Sequence, residues 1–284
     1  MNWNPDYLDN QYNNRLRVPD FMERHVQPWG SKSAAVRTQQ ACALDLPYGP
    51  GGAAETLDVF PAGGAGQNVV VFIHGGYWRS LDKKDFSFVA PVFTQQGACV
   101  VVPNYGLCPA VTIEQLVLQQ VQAVAWVYRN IAQHGGNPER ITVIGHSAGG
   151  HLAAMLLACQ WKAVAPDLPA SLVAKAMSVS GLHDLEPIMH APYLQTDLAL
   201  TAAQVQRCSP AYFPAPSGTL YALCGGDESE EFLRQNRLIE QSWGNTCVPV
   251  REALLGLNHF SILDALTTPG TRAHSLALQL IQQH

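Results

Sequence analysis

Short β-rich runs alternate with segments of helical length from about Glu55 to the end of the chain, and this alternation restricts the fold more than any other feature. Runs such as VVVFI and ACVVV are apolar throughout, as is typical of strands buried on both faces of a parallel sheet. The predicted strands are residues 56–60, 68–73, 98–102, 141–145, 175–180, 219–224 and 248–253. This pattern predicts a doubly wound, mostly parallel α/β sheet.

The segments between the strands show helical periodicity. Thr112 is a suitable N-cap for a helix whose apolar side chains recur at three- and four-residue intervals from Ile113 to Ile131. Gly135 and Gly136 then provide a stop signal. The other predicted helices are residues 83–96, 148–160, 230–243 and 273–283.

Two segments fall outside the alternation, although the 284 residues fit a single domain. Residues 1–50 are polar, contain scattered aromatic side chains and have weak periodicity, so we interpret them as an N-terminal arm packed on the main body. Residues 183 to about 216 separate two strands by far more than the usual connection of about 4–6 residues. They predict a small helical cap over a pocket, with an ordinary surface helix pair as the alternative.

The composition excludes several classes of protein. A hydrophobic content of 47% supports a large core, and a net charge of −5 provides no electrostatic footprint for nucleic acid or an anionic membrane. The seven cysteines are scattered without a C-x-x-C pair, which argues against a disulfide framework and a zinc site. The N-terminal residues lack an apolar signal core, and no run of about 18 apolar residues occurs. We therefore expect a cytoplasmic protein that does not span a membrane, with its oligomeric state open and a homodimer among the options.

The strongest motif is ITVIGHSAGGH at residues 141–151, which places G-x-S-x-G between a β-branched strand and an Ala/Leu-rich helix. A sharp strand-to-helix turn would hold Ser147 in a strained backbone conformation with its hydroxyl above the sheet edge. Gly145 and Gly149 would let the chain turn that tightly, and the Ala148 N–H would face a developing oxyanion. The motif predicts that Ser147 is a catalytic nucleophile. Neither His146 nor His151 has a partner at metal-ligand spacing, so no metal site is expected.

A second motif, Ile73-His-Gly-Gly-Tyr-Trp78, also follows an apolar strand. Its glycines, Gly75 and Gly76, let the backbone approach a carbonyl oxygen closely enough for N–H groups to bind it. His74 is interpreted as a residue that fixes this loop by hydrogen bonding rather than as a base. Tyr77 and Trp78 are either packing aromatics or walls of a substrate pocket.

A nucleophilic Ser147 also requires a base and an acid. His259 lies in a loop directly after a predicted strand, where a base is expected, whereas His274 and His284 belong to a terminal amphipathic helix. The acid falls in Gly225-Gly-Asp-Glu-Ser229. Asp227 is favoured because aspartate is more usual in this role. Glu228 is favoured by register, because the acid commonly lies three residues after the glycine that closes this strand; Glu228 is preferred and Asp227 is the alternative.

Several motifs together resemble the kynurenine formamidase (arylformamidase) group of α/β hydrolases. The resemblance runs from about residue 10 to the end of the chain, and HGGYW in place of HGGG is its most specific part. The motifs are HGGYW at 74–78, PNYGLCP at 103–109, GGNPERITVIGHSAGGHLAAMLL at 135–157, GLHDLEP at 181–187, DESEEFLRQ at 227–235 and NHF at 258–260.

This resemblance implies an α/β-hydrolase fold and hydrolysis of N-formylkynurenine to formate and kynurenine, with no metal or cofactor. It implies nucleophile, acid and base roles for Ser147, Glu228 and His259, because the acid in that group directly precedes an S-x-E-F run, here at 229–232. Tyr77, Trp78, Tyr105 and the cap would contact the aryl part of the small-molecule substrate. The rival functions are a carboxylesterase for short-chain or aryl esters and a catalytically inactive binding module.

Overall fold

A computed structural model describes residues 4–283 of the chain, so residues 1–3 of the predicted arm and His284 lie outside the described residues. Within that range, one sheet has the strand order β1-β2-β4-β3-β5-β6-β7-β8. The pairs that involve β1 and β2 are antiparallel, and every other pair is parallel. The strands are β1 Ala43–Pro47, β2 Thr56–Phe60, β3 Gln67–Ile73, β4 Ala98–Pro103, β5 Gly136–His146, β6 Lys175–Val179, β7 Thr219–Gly225 and β8 Val250–Leu254.

Helices flank this sheet on both faces, which confirms the predicted α/β-hydrolase architecture. They are α1 Pro5–Tyr12, α2 Asn14–Arg17, α3 Gln27–Gln39, α4 Ala90–Thr94, α5 Ile113–Asn130, α6 Ala148–Leu157, α7 Trp161–Val164, α8 Glu186–Met189, α9 Pro192–Leu198, α10 Ala202–Cys208, α11 Glu230–Cys247, α12 Ser261–Leu266 and α13 Arg272–Gln282. A π-helical turn covers Met22–Val26, and 3₁₀ turns cover Gly52–Glu55, Lys83–Val89, Ile131–His134 and Pro210–Tyr212.

The central strands are buried on both faces, which explains why their sequences are apolar throughout. Along β3, Val69, Val71 and Ile73 belong to one hydrophobic core, whereas Val70 and Phe72 belong to the core on the opposite face. Side chains alternate across a strand, so a strand between two helical layers needs an apolar residue at each position. The two hydrophobic cores therefore bury both faces of the central strands. Polar side chains of the site lie beyond the carboxyl ends of the parallel strands.

The longest connecting helix begins and ends where the sequence predicts. Thr112 Oγ accepts a hydrogen bond from the Gln115 N–H at 3.2 Å, and Gln115 Oε1 accepts one from the Thr112 N–H at 2.8 Å. This reciprocal pair is a capping box that satisfies two N–H groups at the start of α5. After α5 and one 3₁₀ turn, Gly135 adopts φ 86°, in the left-handed region that ends helices.

The structure differs from the sequence prediction at several elements, including β5, which begins at Gly136, and α6, which ends at Leu157. Strand β1 lies within the predicted arm, where Asp45 and Pro47 interrupt the apolar pattern of a partly exposed edge strand. The predicted helix 83–96 is divided, because Pro91 lacks the N–H that a continuous helix would donate to Ser87. Helix α11 continues past Trp243 to Cys247 across a kink at Gly244. The predicted cap interval, 183–216, contains α8, α9 and α10.

Candidate active site

Ser147 lies in the turn between β5 and α6, with φ 57° and ψ −117°. A non-glycine residue at positive φ is strained, and here the surrounding chain holds it in place. The Ser147 N–H donates to the Val179 carbonyl at 2.8 Å, and the Ser147 carbonyl accepts from the His151 N–H at 3.1 Å. A Cβ at Gly149 would lie 2.0 Å from the Ile73 carbonyl oxygen, so only glycine allows this close approach. Ser147 therefore lies in a strained strand-to-helix turn.

A buried carboxylate and an imidazole form a hydrogen-bonded pair beside this turn. His259 Nδ1 lies 2.7 Å from Glu228 Oε2, and both side chains are almost fully buried. The other carboxylate oxygen, Oε1, accepts hydrogen bonds from Ser180 Oγ at 2.5 Å and from the Gly225 N–H at 2.7 Å. Three donors thus satisfy the buried carboxylate and direct Oε2 towards His259.

The two neighbouring acids of the Gly225–Ser229 turn, Asp227 and Glu228, lie in different environments. Asp227 is exposed, and its N–H donates to the Leu257 carbonyl at 3.0 Å. Its carboxylate makes no hydrogen bond to His259, whereas Glu228 does. Glu228 is therefore the carboxylate that contacts the imidazole, in agreement with the register three residues after Gly225.

Three further buried histidines surround the turn at Ser147, and none of them contacts the Glu228 carboxylate. His146 Nε2 donates to the His259 carbonyl at 2.7 Å, and His151 Nε2 donates to the Cys208 carbonyl at 2.7 Å. His183 Nε2 lies 3.3 Å from Ser178 Oγ. Burial lowers the pKa of His146 to about 3, of His151 to about 4 and of His183 to about 3. These imidazoles are neutral structural groups at neutral pH.

We expect these neutral histidines to make the fold sensitive to acid. As the pH falls below about 6.5, the ordinary pKa of a histidine side chain, the unfolded chain binds protons that the folded chain does not bind. Each buried imidazole then removes about 1.4 kcal/mol of unfolding free energy per pH unit until its folded pKa is reached. His183→Gln should reduce the slope of unfolding free energy against pH by that amount, measured by urea denaturation between about pH 5 and 6. An unchanged slope would contradict a neutral buried His183.

The loop after β3 places backbone N–H groups next to Ser147. A Cβ at Gly75 would lie 3.0 Å from the Ser147 Cβ, so the two backbones are in close contact. Gly76 has φ 112°, and its carbonyl accepts from the N–H groups of Arg79 and Ser80 at 3.1 Å. Within residues 4–283, the N–H groups of Gly75, Gly76 and Ala148 donate to no protein acceptor. They are therefore available to an oxygen atom of a ligand.

Hydrogen bonds from His74 and Tyr105 stabilise this loop. His74 Nδ1 donates to the Gly75 carbonyl at 2.8 Å, and its ring stacks on Tyr105 with centroids 4.4 Å apart. The Tyr105 hydroxyl donates to the His74 carbonyl at 2.9 Å. His74 is fully buried, and burial lowers its pKa, which suits a loop-fixing residue rather than a base.

Ser147 and His259 both border one apolar cavity of about 250 Å³. Gly75, Gly76 and Tyr77 from the loop after β3 line it, together with Phe86, Tyr193 of α9 and Phe260. The N-terminal arm supplies another part of the wall, through Asn14, Arg15, Phe21, Met22, Val26 and Trp29. The predicted cap interval therefore contributes only Tyr193 to the cavity lining, and the arm contributes more.

Two of the three predicted substrate-contacting aromatics do not reach the cavity. Trp78 is fully buried, and its Nε1 donates to His151 Nδ1 at 3.3 Å. Tyr105 is 1% exposed and packs under the loop after β3. Tyr77 and Trp78 both have positive φ, 49° and 56°, and this pair of left-handed residues turns the loop so that Trp78 enters the core. Of the three, only Tyr77 lines the cavity.

The sequence interpretation missed the arm residues, although a signal for them exists. Met22, Val26 and Trp29 recur at helical intervals, which predicts one apolar face. Phe21 stacks on Phe260 at 5.1 Å, and Trp29 Nε1 donates to Asp264 Oδ1 at 2.6 Å, so the arm is fastened beside His259.

Residues 4–283 contain no group of three or more His, Cys, Asp or Glu side chains placed to bind a metal ion. No helix in the same range is long and apolar enough to cross a membrane.

The sheet, the strained turn and the buried carboxylate–imidazole pair define an α/β-hydrolase enzyme. Residues 57–181 match the BD-FAE family. Over 97% of its length the chain resembles the kynurenine formamidases of Danio rerio and Salmo salar, with 29% and 27% identity and 94% of each relative covered. The chain is thus a hydrolase similar to kynurenine formamidases over nearly its whole length.

Solved structures agree with this assignment. A candidate thioesterase from Silicibacter sp. TM1040 superimposes with a TM-score of 0.83 and 26% identity, over 97% of this chain and 99% of that one. Esterase B from Lactobacillus rhamnosis superimposes with a TM-score of 0.68 and 17% identity, over 88% and 91% of the two chains. The second likeness supports the fold alone.

Proposed function

We propose that this protein is a serine hydrolase that cleaves an aryl formamide, N-formylkynurenine, to formate and kynurenine through a formyl-enzyme on Ser147. The observation that carries the proposal is the 2.7 Å pair of Glu228 and His259 beside the cavity that Ser147 borders. The names of the Danio rerio and Salmo salar relatives support the formamide as substrate. The activity would belong to tryptophan catabolism, as that resemblance implies, and the free, scattered cysteines favour a reducing compartment such as the cytoplasm.

In the proposed mechanism, Ser147 Oγ attacks the formyl carbon while His259 Nε2 takes its proton. Glu228 orients the imidazole through Nδ1 and stabilises the imidazolium. The N–H groups of Gly75, Gly76 and Ala148 bind the tetrahedral oxyanion, and one such donor is typically worth about 2.7–4 kcal/mol. His259 then gives its proton to the departing aryl amine, and the C–N bond breaks.

The second half of the reaction uses the same groups. His259 takes a proton from water, whose oxygen attacks the formyl carbon of the Ser147 ester. Collapse of the second tetrahedral intermediate releases formate and returns the proton to Ser147 Oγ. Atoms balance, because one water molecule supplies the hydroxyl of formic acid and the hydrogen on the amine.

The size and lining of the cavity favour a small aryl substrate. An apolar cavity of about 150 Å³ holds benzene, so about 250 Å³ has room for one substituted ring. Phe21, Trp29, Tyr77 and Phe260 supply aromatic surface for such a ring. A formyl group needs almost no space of its own, which leaves the cavity to the leaving group.

A carboxylesterase is the second candidate function. It is favoured by 32% identity to the esterase LipQ of Mycobacterium tuberculosis, over 48% of this chain and 37% of that protein. The same nucleophile, base and oxyanion donors would serve an aryl or short-chain ester.

A comparison of substrates tests the proposal. We expect kcat/KM for N-formylkynurenine to exceed the values for p-nitrophenyl acetate and p-nitrophenyl butyrate, measured with one enzyme preparation. The butyrate should be the poorer ester, because its acyl chain competes for the cavity that holds the aryl group. A negligible kcat/KM for the formamide beside the esters would overturn the formamidase assignment and favour the carboxylesterase.

A further inference from the structure

We propose that Asn14 distinguishes a formamide from an ester, because its Oδ1 accepts a hydrogen bond from the N–H of the scissile amide. This inference rests on the proposed function of the cavity beside Ser147. It assigns a substrate-reading role to the N-terminal arm, which contains none of the proposed catalytic residues.

Asn14 and His259 line the same two cavities. A polar cavity adjoins the apolar one and is bordered by Asn10, Arg17, Asp227 and Glu228, among others. Among the described residues, only Asn14 and His259 border both cavities. Asn14 is 5% exposed, so its side chain is largely buried where the two cavities meet.

Hydrogen bonding fixes which atom of the amide is free. The Tyr77 hydroxyl donates to the Tyr12 carbonyl at 2.6 Å, so its oxygen is an acceptor for Asn14 Nδ2, which lies 3.5 Å away. Burial raises the pKa of Tyr77 well above its ordinary value, so this hydroxyl keeps its proton. Asn14 Oδ1 has no hydrogen-bond partner in the part of the chain that the structure describes. Asn14 is 5% exposed as a residue, and an acceptor without a protein partner at the edge of a cavity can accept a hydrogen bond from a donor on the ligand.

The chemistry of amide cleavage supplies that donor. In the tetrahedral intermediate, the nitrogen lone pair must face His259 Nε2 to receive its proton, so the N–H bond points in another direction. An acceptor beside His259 stabilises this arrangement of the nitrogen. The bridging oxygen of an ester carries no hydrogen. Asn14 Oδ1 would then face the lone pairs of that oxygen and would have no hydrogen-bond donor.

A pair of substrates that differ by one group tests the inference. Formanilide and phenyl formate are matched apart from N–H and O. We expect Asn14→Leu and Asn14→Ala to lower kcat/KM for formanilide about tenfold or more, with less than about a threefold change for phenyl formate. The ratio of the two values is independent of the fraction of folded enzyme, so partial misfolding of a variant does not affect it. The alanine variant also separates loss of the acceptor from blockage by leucine.

Asn10→Leu is the matched control, because Asn10 is exposed on the same arm and borders only the polar cavity. Its formanilide to phenyl formate ratio should equal that of the wild type. Parallel losses on both substrates in the Asn14 variants would overturn the inference and leave the proposed function standing. A wild type that cleaves phenyl formate but not formanilide would overturn the formamide assignment and the inference together.

Discussion

Ser147→Ala is expected to lower kcat by at least about 10⁴-fold on both aryl formamides and esters, with the fold unchanged. If Ser147 is the nucleophile, as proposed, its removal leaves only the catalysis that substrate binding and the proposed oxyanion donors provide. The Ser147 hydroxyl forms no hydrogen bond in the described part of the chain, so the fold loses no contact with it. Alanine at φ 57° carries about the same backbone strain as serine. Steady-state kinetics and thermal unfolding of the purified variant measure the two effects.

Ser87→Ala is a matched control for this variant. Ser87 is fully buried and its Oγ also lacks a partner, but it does not border the cavity. A fluorophosphonate probe should label the wild type and Ser87→Ala at Ser147 and should not label Ser147→Ala. A wild type that resists the probe would favour the inactive binding module, and full activity of Ser147→Ala would remove the nucleophile assignment.

The parts of the site that the sequence predicts are those coded locally or at strand ends. The strained turn is contained within residues 141–151, so a strand pattern, two glycines and a helix pattern identify Ser147 without tertiary information. Glu228 and His259 follow neighbouring strands, β7 and β8. The carboxyl ends of parallel strands meet at one edge of the sheet, so their proximity follows from the fold class.

The arm side of the cavity could not be predicted in the same way. Asn14 is more than a hundred residues from Ser147 in sequence, and its helix, α2, has only four residues. Tertiary contacts place it, such as Tyr12 with Tyr77 and Phe21 with Phe260. Local sequence propensity carries no information about such contacts. The polar arm was therefore predicted only to pack on the main body and not to line the cavity.

Trp78 was predicted to contact the substrate, but the structure places it in the core. An aromatic residue in the loop after β3 is equally compatible with a cavity wall and with the core, and the backbone conformation decides between them. The positive φ values of Tyr77 and Trp78 are not encoded by glycine or asparagine at those positions. The surrounding structure imposes them, so the outcome was set by packing against His151 rather than by the motif itself.

We expect the second large effect when the buried carboxylate of Glu228 is replaced by an amide. The same replacement at the adjacent Asp227 should have little effect on kcat. Glu228→Gln should lower kcat about 10³–10⁴-fold, whereas Asp227→Asn should change it less than about threefold. Ser180 Oγ and the Gly225 N–H both donate to Oε1, so the glutamine oxygen would occupy that position. The glutamine NH₂ would then face His259 Nδ1 and force that nitrogen to act as an acceptor. The imidazole proton would move to Nε2, and His259 could no longer take the proton of Ser147.

Asp227→Asn is the internal control, because it makes the same chemical change one residue away on an exposed side chain. Both variants should bind a non-hydrolysable substrate analogue that forms no covalent bond with Ser147 as the wild type does, since neither side chain lines the apolar cavity. Steady-state kcat and KM on one aryl formamide and one ester measure the difference. Equal mild losses in both variants would mean that neither carboxylate orients the base, and a severe loss confined to Asp227→Asn would transfer the role to that residue.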